Sequence, residues 1–333
     1  MIKITELSQV LNYTQAFELQ NEILHGQIST EQLLEIFNTF AKRQLQAEEF
    51  MGFVDASKAN MVQIRSEFDC LDTAGTGGDK LGTFNISTAA AIVCAAAGVK
   101  VAKHGNRGVS SKCGSADVLE ALGVKIDLDA NTAKTCLEKT GIVFLFAPNF
   151  HPAFKNVAEA RKIFAQRTYF NFLGPLLNPI RPKYQIVGVA DQYMKTLMTE
   201  VLLKSEIENA MLISSEDGMD EISTLSPTNI IQVANGRTQN IVINPADLRL
   251  HSATLSDIQG GTAAENAAII RNVLQGTASI QQSEIVAINA AAGLLVSNVV
   301  KTLSQGLVLA KQTLNSGLAL AKLNQFIEIS NAI

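Results

Sequence analysis

The run from Asp72 to Asp79 sets three glycines, Gly75, Gly77 and Gly78, between two aspartates, just after an apolar stretch. Clustered glycines let backbone N–H groups approach an anion with no Cβ in the way. Asn85, Ser87 and Thr88 follow and open an alanine-rich helix. Ser87 or Thr88 is the expected cap, and the first-turn N–H groups point at whatever the loop holds. That geometry suits a pyrophosphate. Taken alone it suits a tight structural turn equally, since no Gly-Lys-Ser/Thr ends it as in a Walker loop and no clean GxGxxG is present.

Three further clusters carry chemistry. Lys103, His104, Gly105, Asn106 and Arg107 follow a strand candidate, and in a parallel α/β sheet ligands bind at the carboxyl ends of strands. Lys103 suits a phosphate as a point charge; the competing reading is a solvated basic loop. Ser110 to Ser115 leads into another helix, a second potential anion-binding N-terminus. Asp217, Asp220 and Glu221 form an acidic turn after a strand candidate. Adjacent carboxylates there suit magnesium, which takes one or two of them plus phosphate oxygens and water; a plain polar turn is the alternative. Arg161 lies on a helix candidate, with His151 upstream and Asn171, Gly174 and Pro175 downstream. Arginine is the bidentate partner of a carboxylate, although a surface arginine paired with Glu159 or with solvent reads as well. His25 and His251 belong to no cluster, and no Ser-His-Asp, HExxH or kinase set stands out.

The elements that must position these residues alternate. Residues 1 to about 65 show apolar residues at three- and four-residue spacing, as in Ile23, Leu24, Leu33, Leu34, Ile36 and Phe37, with a Ser29 cap candidate. They read as a small helical bundle. From about residue 68 strand candidates (70–74, 99–103, 124–128, 142–146, 185–190, 210–214) alternate with helices (87–97, 115–122, 132–139, 157–164, 192–204), and Gly98, Gly123 and Gly141 stand where C-terminal caps are expected. This alternation predicts a largely parallel, covered sheet. Asn235 and Gly236 between apolar runs signal a β-hairpin, and the chain turns helical again from Gly261. The fold class is therefore α/β with an all-helical domain.

Composition bounds the partners. A chain of 333 residues is long for one domain and comfortable for two. Hydrophobic residues make up 47% and charged ones 17%, as in a protein with a large core. A net charge of −4 argues against nucleic acid, while one basic pocket for a phosphate-rich small molecule remains compatible with it. Residues 88–101 and 285–300, the most apolar stretches, are too short or interrupted to span a membrane. Met1 to Glu6 shows no basic region followed by an apolar one, so no leader is expected. Cys70, Cys94, Cys113 and Cys136 form no CxxC and are read as thiols of a reducing compartment, neither a disulfide frame nor a zinc site. A cytoplasmic protein is expected.

The order and spacing of these signals resemble the anthranilate phosphoribosyltransferases of tryptophan biosynthesis. The matching runs are DTAGTGGD, GTFNIST, KHGNRGVSSKCGSADVLEALG, FAPNFHPAF, RTYFNFLGPLLNP and EDGMDE, with NAAAGLL and GLALAKLNQF near the C-terminus. The resemblance covers essentially the whole chain. It implies a helical domain of residues 1–66, with a further contribution from about 163–182, and a catalytic α/β domain of residues 67–333, with the active site in the cleft between them. It implies a homodimer associating through the helical domain and two magnesium ions per active site. Carried over by motif, Gly75, Gly78, Asp79, Thr83, Asn85, Ser87, Thr88, Lys103 and Ser115 line the phosphoribosyl pyrophosphate (PRPP) site. Ser87, Asp220 and Glu221 hold the metal. Gly75, His104, Asn106, His151, Arg161 and Pro175 line the anthranilate pocket, with Arg161 facing the carboxylate. Lys103 stabilises charge, and no side-chain acid or base is expected. The chain departs from the pattern at Phe154, where tyrosine is frequent, at Cys113, where serine is, and at Phe164 and Ala165, where Leu-Gly is usual. A pyrimidine nucleoside phosphorylase-like enzyme and a non-catalytic nucleic-acid-binding relative are the alternatives.

Overall fold

A computed structural model describes residues 7–108 and 112–333. Three helices come first: α1 (Tyr13–Leu24), α2 (Thr30–Ala41) and α3 (Ala47–Ala59). Capping boxes start the first two. Asn12 accepts from the Gln15 N–H and Ser29 from the Gln32 N–H, each glutamine side chain reaching back to the cap N–H. The chain then alternates through β1 (Leu71–Thr73), α4 (Ile86–Ala96), β2 (Val101–Gly105), α5 (Ser115–Leu122), α6 (Ala130–Thr140), β3 (Ile142–Phe146), α7 (Ala147–Phe150), α8 (Lys155–Phe164), α9 (Phe170–Leu173), β4 (Tyr184–Gly188), α10 (Gln192–Leu203) and β5 (Asn209–Ser215). The hairpin β6 (Thr228–Ala234) and β7 (Arg237–Ile243) follows, then α11 (Ala263–Gln275), α12 (Ile280–Val296), α13 (Leu303–Asn315) and α14 (Leu318–Ala332). Among the described residues no helix is long and apolar enough to cross a membrane.

One sheet, in the order β3-β2-β1-β4-β5-β6-β7, organises the molecule. The five strands from β3 to β5 are parallel, and β6 and β7 extend the sheet antiparallel. The hairpin turns at Asn235 and Gly236, both left-handed with φ of 51° and 68°, as a primed turn requires. Alternate side chains of β4 and β5 enter two different cores. Ile186, Met211 and Ile213 pack with α4 and α11–α14; Val187, Ala210 and Leu212 pack with α1–α3 and α8–α10. Helix α4 is buried on nearly every side, which its alanine content permits by letting α12 and α14 approach closely.

Two local expectations are corrected. Residues 124–128 form no strand. Val124, Ile126 and Leu128 are buried, but their segment runs beside the last helix, where the Lys125 N–H donates to Ser330 Oγ (3.2 Å). Alternating burial reports an apolar neighbour on one side, not a partner strand. The cap of α4 is neither Ser87 nor Thr88: the helix starts one residue earlier, after Asn85, and no side chain of its own accepts its first N–H groups.

Candidate active site

Because β1, β2, β4 and β5 run parallel, their carboxyl ends open on one edge, and the segments that leave them enclose a cleft of about 910 Å³. The glycine-rich loop leaves β1. Its Thr76 N–H donates to Gly188 O at the end of β4 (2.8 Å), and Gly77 and Gly78 take φ of 60° and 84°, which only glycine adopts freely. Gly75 faces the acidic turn, where a Cβ would lie 3.1 Å from Asp220 Oδ2. Asp79 closes the loop by accepting from the Leu81 N–H (3.2 Å). Thr83 bridges Gln259, and Gly82 O accepts from Gly260 N–H (2.8 Å), so the segment before α11 forms the far wall.

Lys103 comes from β2 and is only 4% exposed. Its Nζ donates to Thr73 O (2.5 Å), Thr73 Oγ1 (3.2 Å) and Ser87 Oγ (3.3 Å). Burial pulls its pKa down, and the charges of Asp72, Glu221 and Asp220 pull it back up. Glu221 Oε1 accepts from the Ser87 N–H (3.1 Å). A carboxylate 134 residues away thus caps α4, in keeping with the positive end of a helix dipole. Asp220 and Glu221 line the cleft and are half-buried. Burial and then the repulsion of nearby carboxylates push both pKa values well up. Among the described residues neither makes an ion pair, and no three His, Cys, Asp or Glu side chains are grouped to hold a metal unaided. Two carboxylates beside a serine hydroxyl and open space are what magnesium uses when phosphate oxygens and water complete its shell.

Thr88 completes this side with a buried hydroxyl that has no partner among the described residues. Asn85 is held by three bonds to two neighbours: it donates to Cys113 O (3.2 Å) and accepts from Asn266 (2.9 Å) and Cys113 Sγ (3.4 Å). Ser115 opens α5 on the cleft and donates to Asn106 O (3.4 Å). Ser110 and Ser111 lie outside the described residues.

The opposite wall is aromatic. His104 and His151 stand with ring centroids 5.1 Å apart; Phe154 meets His151 at 5.5 Å and Phe170 at 5.7 Å, both edge-on. Burial, and for His104 also its neighbour His151, lowers the two pKa values to about 3 and about 4, so both rings are neutral. His104 Nδ1 bonds Gly174 O (3.0 Å), as a donor, while its Nε2 is buried without a partner among the described residues. Arg161, on α8, lies 5.7 Å from the Phe170 centroid and faces the cleft. Burial lowers its pKa, and no carboxylate pairs with it among the described residues, Glu159 included. Pro175 is not on the wall. It is buried behind Gly174, and its carbonyl accepts from the Gln185 side chain.

Three positions on the cleft escaped the sequence. Gly188 has the acidic turn against it: a Cβ there would lie 1.9 Å from Asp220 O. A glycine inside a strand is the signal for such an approach. Asn289, in the apolar run of α12, clamps the turn by accepting from Ile222 N–H and donating to Ile222 O, both 2.9 Å. A single amide in an apolar helix must find such partners. Asn266 carried no comparable signal.

Residues 67–320 match the glycosyl transferase family, a/b domain. The chain is 41% identical over 330 residues to the anthranilate phosphoribosyltransferase of Thermomicrobium roseum, covering 98% of this chain and 94% of that protein. It is 44% identical over 319 residues to that of Thermoanaerobacter sp., covering 96% and 94%. The crystal structure of the Thermus thermophilus enzyme superposes with a TM-score of 0.91 at 32% identity, covering 98% of this chain and 99% of that one. The Saccharomyces cerevisiae enzyme in complex with PRPP and Mg shares the fold, with a TM-score of 0.89 at 24% identity and coverage of 97% and 94%.

Proposed function

This chain belongs to the anthranilate phosphoribosyltransferases of the glycosyl transferase family, and on that premise we propose how its cleft moves the phosphoribosyl group of PRPP onto the amine of anthranilate, releasing pyrophosphate. One observation carries the reading. A glycine loop, a buried lysine and a carboxylate pair line the same cleft as an arginine that lies against the Phe170 ring and pairs with no carboxylate among the described residues.

Gly75, Gly78, Asp79, Thr83, Asn85, Thr88 and Ser115 surround the PRPP end of the cleft. Lys103 lies where pyrophosphate gains charge as the C1–O bond breaks, and its buried ammonium stabilises that charge more than an exposed one would. Ser87, Asp220 and Glu221 would hold magnesium, two ions per site in our reading. Magnesium held there would neutralise charge on the leaving pyrophosphate. Arg161 takes the anthranilate carboxylate in bidentate fashion, and the rings of Phe154 and Phe170 flank the substrate ring. His104, His151 and Asn106 complete the pocket. Two neutral histidines beside it are poor acids, and an aryl amine is already a free base at neutral pH, so the transfer rests on positioning and electrostatics.

The packing of α8 and α9 with α1–α3 supports a helical domain of residues 1–66 joined by about 163–182, against a catalytic domain of 67–333. Val157 and Ala160, in the same cluster, support beginning the second segment earlier, near 155. A homodimer through the helical domain and a cytoplasmic location complete the proposal. The phosphorylase-like and nucleic-acid-binding alternatives are not favoured, because the relatives matched over nearly the whole chain are transferases.

The test is a fluorescence time course of anthranilate with purified protein, PRPP and magnesium, with an EDTA control. Loss of fluorescence that needs every component is the expected result. No loss with the complete mixture overturns the proposal.

A further inference from the structure

The glycine loop is gripped from behind by a side chain that the cleft chemistry does not use. Arg167 stands between α8 and α9, outside the cavity wall. Its Nη2 donates to two successive carbonyls of the loop, Thr76 O (3.3 Å) and Gly77 O (2.9 Å). Its guanidinium lies over the Phe172 ring, 4.8 Å from the centroid. Gly78 makes the room: a Cβ there would fall 2.8 Å from Arg167 Nη1 and 2.9 Å from Cζ. No ion pair among the described residues employs this arginine.

In a trans peptide the C=O and the following N–H point in opposite directions, and no peptide among the described residues is cis. With the carbonyls of Thr76 and Gly77 both turned to Arg167, the N–H groups of Gly77 and Gly78 are turned away from it, to the cleft side. Gly77 and Gly78 both line the cleft. A glycine pair left to itself samples many backbone states and must be ordered when a ligand binds.

We propose that Arg167 is a positioning residue that fixes both peptides of the glycine loop, presenting the Gly77 and Gly78 N–H groups as a preformed anion-binding pair on the phosphate side of the cleft. This rests on the reading that the cleft binds PRPP. It acts on the phosphate-bearing substrate and leaves the aromatic one nearly untouched, because among the described residues no hydrogen bond, ion pair or ring contact joins Arg167 to the Arg161 wall.

The test compares wild type, Arg167→Ala and Arg167→Lys by hydrogen exchange of the 72–84 segment without ligand or metal, and by calorimetric titration with PRPP and magnesium. In Arg167→Ala the segment exchanges faster while α4 and β2 do not. PRPP affinity falls about tenfold, the worth of one charge-assisted hydrogen bond. The anthranilate Michaelis constant stays within about twofold, and Arg167→Lys, which cannot span two carbonyls as a planar fork does, falls between. Unchanged exchange in Arg167→Ala, or a parallel rise for both substrates that tracks a lower melting temperature, overturns the proposal. Wild type that fails to bind PRPP overturns the functional reading instead, and the exchange comparison still decides whether Arg167 holds the loop.

Discussion

At the scale of single residues, the acidic turn carries two carboxyl groups whose charged forms burial disfavours. Asp220 and Glu221 are pushed well above the ordinary carboxylate range by burial and by nearby carboxylates. Their folded values exceed their unfolded ones, so the folded chain keeps protons that the unfolded chain has lost. Metal-free stability from this pair therefore falls as pH rises between those values. A bound cation favours the charged forms and reverses the trend. Magnesium should raise the melting temperature more at about pH 8.5 than at about pH 6. Asp220→Asn with Glu221→Gln should abolish that gain and cut turnover by at least about 100-fold. An undiminished magnesium shift in the double variant would remove the pair from the metal site. The residue types of this turn were legible in the sequence, and so were Lys103 and Arg161. Their electrostatic state was not, because it depends on how deep the fold buries them.

At the scale of elements, the site is made by closeness at strand ends. The β4 end and the acidic turn approach so tightly that only glycine fits at 188, and the Gly188 carbonyl also holds the Thr76 N–H. Gly188→Ala should displace the turn, destabilise the protein by about 1–3 kcal/mol, and lower magnesium-dependent turnover more than that loss explains. Thermal melting beside a magnesium titration of the rate checks this; a variant with wild-type rates would mean that the turn tolerates the shift. Elements governed by short-range rules were readable: β3 at 142–146, the Asn235-Gly236 hairpin, the Ser29 cap, and Gly123 and Gly141 with φ of 99° and 77° at helix ends. Residues 124–128 misled, because an alternating apolar pattern serves a helix neighbour as well as a strand neighbour. The cap of α4 was misassigned for a related reason: its acceptor, Glu221, is supplied from far along the chain, after β5.

At the scale of the molecule, the cleft joins two apolar cores, and His104 spans them: it sits on β2, and its ring bonds the Gly174 carbonyl below α9. His104 and His151 have folded pKa values of about 3 and about 4, below the unfolded value near 6.5. Their contribution is fully present above about pH 6.5 and is lost as pH falls toward the folded values, at about 1.4 kcal/mol per pH unit for each ring. His104→Gln with His151→Gln should flatten the fall in melting temperature between about pH 6.5 and pH 4.5. A slope equal to that of wild type would show that the rings do not resist protonation. By itself the sequence determined which groups are available and the local geometry around them: the glycine loop, the KHGNR strand end, the acidic turn and the arginine on its helix, since residue type, capping and turn preference act over a few positions. Only the tertiary structure decided that β1 lies between β2 and β4, that Glu221 meets Ser87, that Pro175 falls behind the wall, and that Arg167 backs the loop. Those contacts join segments tens to more than a hundred residues apart, and the burial of two cores on one twisted sheet selects them, which no short window of residues encodes.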